Sequence, residues 1–372
     1  MKCMGMIAEF NPFHNGHRYL IQTARELSGA DVCIAVMSGP FTQRGLPAVE
    51  NKWKRAEIAV RSGVNLVLEL PAVYATGSAQ FFARGGVRVL EGLGCVDALA
   101  FGSESGDLRA LSKAASFLSD NGETVGKRIG ELTKQGFSYP RARQKAVQEI
   151  DPSFEVSLIA EPNNILALEY MRECRNIHAL TVKRISGEGY TSSTALRKKI
   201  MREHAGFYEA ARERLFSVLA GTILSADDDA FDDVPAAAGG LGRRLVKKIR
   251  IAGNMEELIG LLKTKAYTRT RIQRLLTHVL IGLRKTDMAN AAVYARILAF
   301  DRKGAELIKT VKKAGCATIP VLTNISKETE QYPGIHQTLT RDIHAADMYN
   351  LITGNDLYEE SDFVKRPFVS GS

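Results

Sequence analysis

Apolar and polar positions follow two rhythms along the first half of the chain. Short apolar runs at Cys3–Glu9, Asp31–Met37, Leu66–Leu70 and Ala98–Phe101 read as strands, with Val156–Ile159 and Thr181–Ile185 as later candidates. Between them, apolar residues recur at three- and four-residue spacing over His17–Leu27, Lys52–Ser62, Ser78–Leu93 and Asn164–Glu173, the period of an amphipathic helix. This alternation predicts an α/β fold, a parallel sheet covered by helices on both faces. Ligands of such sheets sit beyond the carboxyl ends of the strands. The loops after the first strand and after Ala98–Phe101 are therefore expected to face one crevice.

From about residue 200 the texture changes. Asp227–Asp233 is acidic and Pro235–Gly242 is rich in Ala and Gly, which predicts a loop or linker. Leu245–Leu283 has a helical pattern without strand-like alternation. One more short strand is expected at Thr318–Thr323, and Ser370-Gly371-Ser372 reads as a mobile end. The chain thus divides into an α/β unit over 1–200 and a mainly helical region over 201–372.

Composition narrows the class. A chain of 372 residues, 45% hydrophobic and 24% charged, is an ordinary globular protein able to bury a large core. It has no run of 18 apolar residues and no signal-peptide pattern, so no membrane attachment is expected. Cys3, Cys33, Cys95, Cys174 and Cys316 are odd in number, far apart and without a CxxC pair. They read as reduced thiols of a cytoplasmic protein with no disulfide-linked partner and no structural metal. The net charge of +9 is concentrated: Arg243 to Lys285 holds twelve Lys or Arg against two Glu. Such a block points to a polyanion, and the candidate RNA contacts are Arg243, Arg244, Lys247, Lys248, Arg269, Arg271 and Arg274, with Tyr267 able to stack on an unpaired base. The bland alternative is a solvated helical face.

The chemistry concentrates at His14-Asn15-Gly16-His17, where a strand breaks at Asn11-Pro12 and a helix opens. Two imidazoles can donate to phosphate oxygens. Gly16 lets the backbone approach a nucleotide, and the helix N-terminus adds free N–H groups and a positive dipole end. The chemistry this pattern suits is nucleotidyl transfer, attack on the α-phosphate of ATP with pyrophosphate leaving; the alternative is a turn with two incidental histidines. A second loop, Ser186–Arg197, runs through Ser192-Ser193-Thr194 into another helix with Arg197 one turn in. Ser193, Thr194 and Arg197 form a candidate second phosphate cradle, against the alternative of a plain N-cap. Gly102, at a strand end, is either a site of close approach to the nucleoside or a turn glycine.

Further runs carry a resemblance. They are Met37-Ser38-Gly39-Pro40-Phe41-Thr42-Gln43-Arg44-Gly45, Asn51-Lys52-Trp53-Lys54-Arg55-Ala56-Glu57, Glu69-Leu70-Pro71, Tyr74–Ala83, Pro162-Asn163-Asn164-Ile165-Leu166 and Lys183-Arg184-Ile185. Together with the HxGH loop they resemble the bacterial tRNA(Met) cytidine acetate ligase family of the HxGH nucleotidyltransferase-like superfamily. The resemblance spans nearly the whole chain and is densest before residue 200. It implies a Rossmann-like domain followed by a mainly α-helical C-terminal region. It also implies an ATP site at Ile7, Ala8, Glu9, Phe10, Asn11, Pro12, Phe13, His14, Asn15, Gly16, His17, Arg18, Tyr19, Leu20, Gly102, Asn163 (favoured over Asn164), Arg184 and Ile185. Two departures stand out: Pro40 where the family usually has Asn, and the acidic, Ala/Gly-rich Asp227–Gly242 stretch.

The implied activity has two steps. ATP, with Mg²⁺, and acetate form acetyl-adenylate; the acetyl group then passes to the exocyclic amine of the wobble cytidine of elongator methionine tRNA. Acetate is already ionised at neutral pH and needs no general base. His14 and His17 are the catalytic candidates, placed on phosphate oxygens in the transition state. Ser193, Thr194 and Arg197 are placed on the β- and γ-phosphates, and the basic helices would hold the tRNA. The rival expectations are an adenylyltransferase acting on a small phosphorylated substrate and a non-catalytic RNA-binding protein.

Overall fold

The computed structural model describes residues 1–185, 192–264, 267–325 and 330–371. Eight strands form one sheet: β1 (Cys3–Ala8), β2 (Val32–Ser38), β3 (Leu66–Leu70), β4 (Ala98–Ser103), β5 (His178–Lys183), β6 (Ala295–Phe300), β7 (Val321–Leu322) and β8 (Phe368–Val369). Their order is β5-β4-β1-β2-β3-β6-β7, with β8 also paired to β6. The first five strands run parallel, as expected. β6 was not anticipated and runs antiparallel to β3. The sequence-predicted strand at Val156–Ile159 is instead a single 3₁₀ turn with Leu158 and Ile159 buried. A four-residue apolar run cannot by itself tell these apart. β5 lies three residues earlier than predicted at its start, and β7 keeps only two residues of the Thr318–Thr323 run.

The first helices are α1 (Asn15–Ser28), α2 (Lys52–Arg61), α3 (Ala72–Ala75), α4 (Ala79–Gly92), α5 (Leu108–Asp120), α6 (Gly122–Lys134), α7 (Tyr139–Ile150) and α8 (Pro162–Glu173). Alternation along β2 divides the core. Val32, Ile34 and Val36 point to one face with Leu68, Val87 and Leu90, and Cys33, Ala35 and Met37 to the other with Ile21, Ala56 and Ala59. A strand buried on both faces belongs in the middle of a sheet, and full burial of each Val, Ile or Leu contributes roughly 1.5–3 kcal/mol. Ideal side-chain carbons at Gly5 and Gly86 would meet Leu90 and Ile7 at 2.7 and 2.5 Å, so both glycines let α4 press against β1.

The middle of the chain is helical: α9 (Ser193–Glu203), α10 (Ala205–Leu224), α11 (Leu241–Ile249), α12 (Met255–Leu262), α13 (Arg269–Leu280) and α14 (Lys285–Ala289). The predicted linker before α11 is packed structure. Phe231, Val234 and Ala237 are buried in it, and its carbonyls accept from Arg271, Arg284 and Lys285. After α14 the chain returns to the sheet through β6, α15 (Arg302–Ala314), α16 (His336–Thr353) and β8. Even Ser370, expected in a loose end, donates its N–H to the Phe300 carbonyl at 3.0 Å; Ser372 lies outside the described residues. The return carries Arg296 and Asp362 into a buried charge cluster with Lys52 and Glu69 beside β3. Among the described residues no helix is long and apolar enough to cross a membrane, and all five cysteines are free.

Candidate active site

The chain leaves β1 through Glu9 and a sharp turn at Phe10, whose φ of 45° is left-handed and whose side chain is fully buried. His14 then caps α1. Its Nδ1 accepts the Gly16 N–H at 3.0 Å, and its own N–H donates to Nδ1 of His17 at 3.2 Å. This is a capping box built from histidines. It also sets both tautomers: each Nδ1 is an acceptor, so each ring carries its proton on Nε2. The rings stack with centroids 3.8 Å apart, and Phe10 meets His17 edge-on at 5.1 Å. Burial, with Arg184 and Arg197 nearby, depresses the His14 pKa. Burial, with His14 and Arg184, pushes His17 down to about 3. Both imidazoles are therefore neutral Nε2–H donors at pH 7.

The second cradle arrives from 179 positions away. Nε2 of His14 lies 2.7 Å from Oγ of Ser193. Ser192 is the N-cap of α9, accepting from the Ala195 N–H, which frees Ser193 to face His14. Arg197 donates to the Asn11 carbonyl at 2.7 Å and to Thr194 Oγ1 at 3.1 Å. Thus His14, His17, Ser193, Thr194 and Arg197 converge where the N-termini of α1 and α9 meet. The earlier part of the loop, 186–191, lies outside the described residues.

The β4 end of the crevice is joined to it. Gly102 sits inside β4 opposite Val182, not in a turn, and is only half-buried. Arg184 crosses it to pair with Glu104 at 3.1 Å. The Glu104 carboxylate caps α8: it accepts from the Asn163 side chain at 2.6 Å and from the Asn164 N–H at 2.8 Å. Asn164 is buried, its Oδ1 accepting from the N–H groups of Glu104 and Ser105. Its side chain is committed to the loop, whereas Asn163 stays half-exposed beside it.

A third loop, Gly39–Ala48, closes the other side. The Gln43 N–H donates to the Glu9 carboxylate at 2.8 Å, and Pro40 is buried with its carbonyl accepting from Ala48. Gly45, at φ 69°, lies against α13; a side chain there would stand 2.4 Å from the Arg274 nitrogen. Thr277 donates to the Gly45 carbonyl at 3.0 Å and Arg274 to the Gln43 carbonyl at 2.8 Å. Sequence reasoning gave no role to Arg55, fully buried on α2, which donates to the carbonyls of Glu9, Ser38, Gly39 and Glu50. The available signal was a charged residue on the same helical face as Ala56 and Ala59.

The basic block is largely tied into the fold. Arg274 turns inward to the Gln43 loop, where burial lowers its pKa to about 10 against the opposing pull of Glu9. Arg271 donates to the Ala236 and Ala238 carbonyls and lies over the Tyr267 ring. Arg244 donates to the Leu261 carbonyl, Arg243 pairs with Asp232 and Arg269 with Glu256. Lys247 and Lys248 make no ion pair among the described residues. Of the candidate RNA contacts, Arg244, Arg271 and Arg274 direct their guanidinium groups to carbonyls of neighbouring loops.

Residues 1–362 match the family described as HIGH Nucleotidyl Transferase. The chain is 34% identical over 399 residues to the tRNA(Met) cytidine acetate ligase of Thermoanaerobacter sp. (strain X514), covering 98% of each chain. It is 34% identical over 403 residues to that of Bacillus subtilis (strain 168), covering 97% of this chain and 95% of the relative. The crystal structure of Thermotoga maritima TmcAL bound with alpha-thio ATP superposes with a TM-score of 0.88 at 30% identity, covering 99% of both chains. The HxGH helix start, the strand order and these whole-length matches agree: the chain belongs to the HIGH nucleotidyl transferase family, among the tRNA(Met) cytidine acetate ligases.

Proposed function

We propose that this protein joins acetate to AMP at the expense of ATP and passes the acetyl group to the exocyclic amine of the wobble cytidine of elongator methionine tRNA. The observation that carries this reading is the convergence of two neutral Nε2–H donors, His14 and His17, with Ser193 and Arg197 at two helix N-termini. Preorganised donors of this kind stabilise charge that develops on phosphate oxygens and need no rearrangement during reaction.

In the first step an acetate oxygen attacks the α-phosphorus and the bond to the bridging oxygen breaks, releasing pyrophosphate. His14 and His17 hold the oxygens that gain charge. Arg197, Ser193 and Thr194 take the β- and γ-phosphates. Arg184 and Asn163, at the far end of the crevice beside the half-buried Gly102, suit the adenosine. Ile7 to Leu20 and Ile185 complete the proposed nucleotide surface. Magnesium enters as part of the substrate Mg·ATP. Among the described residues no cluster of three His, Cys, Asp or Glu could hold a metal, and no step here runs through one. In the second step the cytidine amine attacks the acetyl carbonyl, the bond to AMP breaks, and the amine loses a proton. A wobble base can be splayed from an anticodon loop at modest cost. A reaction of ATP with tRNA suits the cytoplasm, with the N-terminal half doing the chemistry and the later helices serving the tRNA.

The test is pyrophosphate release from Mg·ATP with acetate, formate or propionate, each with and without methionine tRNA. Release that depends on acetate supports the reading. Release that ignores carboxylates and requires a phosphorylated small molecule overturns it.

A further inference from the structure

We infer that the RNA loop carrying the acceptor base docks on the corner between α9 and α10, with Phe207 as the platform for an unpaired base. The inference rests on the acetyl-transfer reading above. The acceptor amine must come within bonding distance of an acyl-adenylate held by His14 and Arg197, so the surface bordering Arg197 has to receive RNA. That border is α9 itself. Thr194 and Arg197 face the site at i, i+3 spacing, and Lys198 and Arg202, four residues apart, lie on the adjoining flank. Both are exposed. Arg212 of α10 reaches back to Met201, its Nη2 3.9 Å from the sulfur, adding a third exposed cation.

The corner turns at His204, and Phe207 projects just beyond it, 46% exposed. Its placement is fixed rather than loose. The Phe207 ring meets Tyr208 edge-on at 5.1 Å, and the Tyr208 hydroxyl donates to the Val49 carbonyl at 3.0 Å. The Val49 N–H donates to Asn11 Oδ1 at 2.8 Å, and the Asn11 carbonyl accepts from Arg197. The exposed Phe207 ring thus packs on a tyrosine that two hydrogen bonds, through Val49, tie to the phosphate loop. Of the nearby acids, Glu203 is taken by Lys199 at 3.8 Å, and Glu209 and Glu213 fall on the flank of α10 away from Phe207. Cations beside an exposed ring are what a single-stranded nucleic acid needs, phosphate neutralisation and a sequence-tolerant stacking face.

The test compares F207A, F207L, F207W and the double variant K198E/R202E, measuring acetate-dependent ATP–pyrophosphate exchange and acetyl transfer to methionine tRNA. The expected result is a rise of about tenfold or more in the KM for tRNA in F207A. That rise exceeds any change in exchange by at least about tenfold, and F207W restores transfer while F207L does not. K198E/R202E also weakens transfer and flattens its salt dependence. Wild-type transfer by F207A, or equal rescue by F207L and F207W, overturns the platform. If the wild-type protein makes no acetylated RNA, the functional reading fails by itself. Anisotropy with a methionine tRNA anticodon stem–loop then decides the surface: weaker binding by F207A and K198E/R202E supports it, and undiminished binding overturns it.

Discussion

Nε2 of His14 stands 2.7 Å from Oγ of Ser193, so one hydrogen bond closes the gap between two helix N-termini 179 residues apart. The Nδ1 of each histidine is already spent on a backbone N–H, which leaves Nε2 as the donor toward the crevice. A triphosphate would take over the hydrogen bond that Ser193 now receives.

H14A and H17A each remove one such donor. Each is expected to lower acetate-dependent ATP–pyrophosphate exchange by about 10²–10³-fold, the usual loss for one preorganised donor. Binding of tRNA should persist. Exchange near the wild-type rate in both variants would remove these rings from the chemistry.

Arg274 was legible in sequence only as one cation of a basic block. The structure turns it onto the Gln43 carbonyl, in the loop that also holds Glu9. R274Q is therefore expected to act on the pocket, weakening acetate-dependent exchange several-fold while leaving the salt slope of tRNA binding as it was. A slope reduced by about one phosphate contact, with normal exchange, would restore Arg274 to the RNA surface.

The contrast between His14 and Arg274 shows where sequence reading stops. An HxGH loop between a buried strand and a helix is local: its spacing alone dictates the cap, and β1 and α1 follow within a few residues. A charge run reveals sign but not direction, and only tertiary packing tells that Arg271 and Arg274 face carbonyls. β6 escaped for a related reason. Ala295–Phe300 pairs with β3 more than 200 residues earlier and carries Arg296 inside the core, so neither alternation nor a clean apolar run announces it.

Arg296 is tolerated there because Asp362 and Glu69 share it with Lys52, the Asp362 Oδ2 lying 2.7 Å from both cations. Removing one carboxylate leaves excess positive charge buried. D362A is expected to destabilise the fold by about 3–5 kcal/mol, measured by urea unfolding. A loss below about 1 kcal/mol would mean that water reaches the cluster.

His278 links stability to pH. It is buried and donates from Nε2 to the Thr76 carbonyl at 3.1 Å, while its Nδ1 has no partner among the described residues. Burial lowers its pKa to about 4. The folded state keeps this ring neutral, whereas the unfolded chain takes a proton below about pH 6.5. Its contribution, about 3 kcal/mol at most, is fully present above pH 6.5 and is lost as pH falls toward 4. The stability difference between wild type and H278Q should therefore shrink by about 1.4 kcal/mol per pH unit across that window. A difference independent of pH would place the proton on His278 in the folded state as well.

The most direct test of the whole account is to follow labelled acetate. With Mg·ATP, purified protein and elongator methionine tRNA, digestion and mass spectrometry of the RNA should find the acetyl group on the wobble cytidine, with one AMP released for each acetyl transferred. Label that never enters the tRNA, or that enters it at another position, would contradict the account.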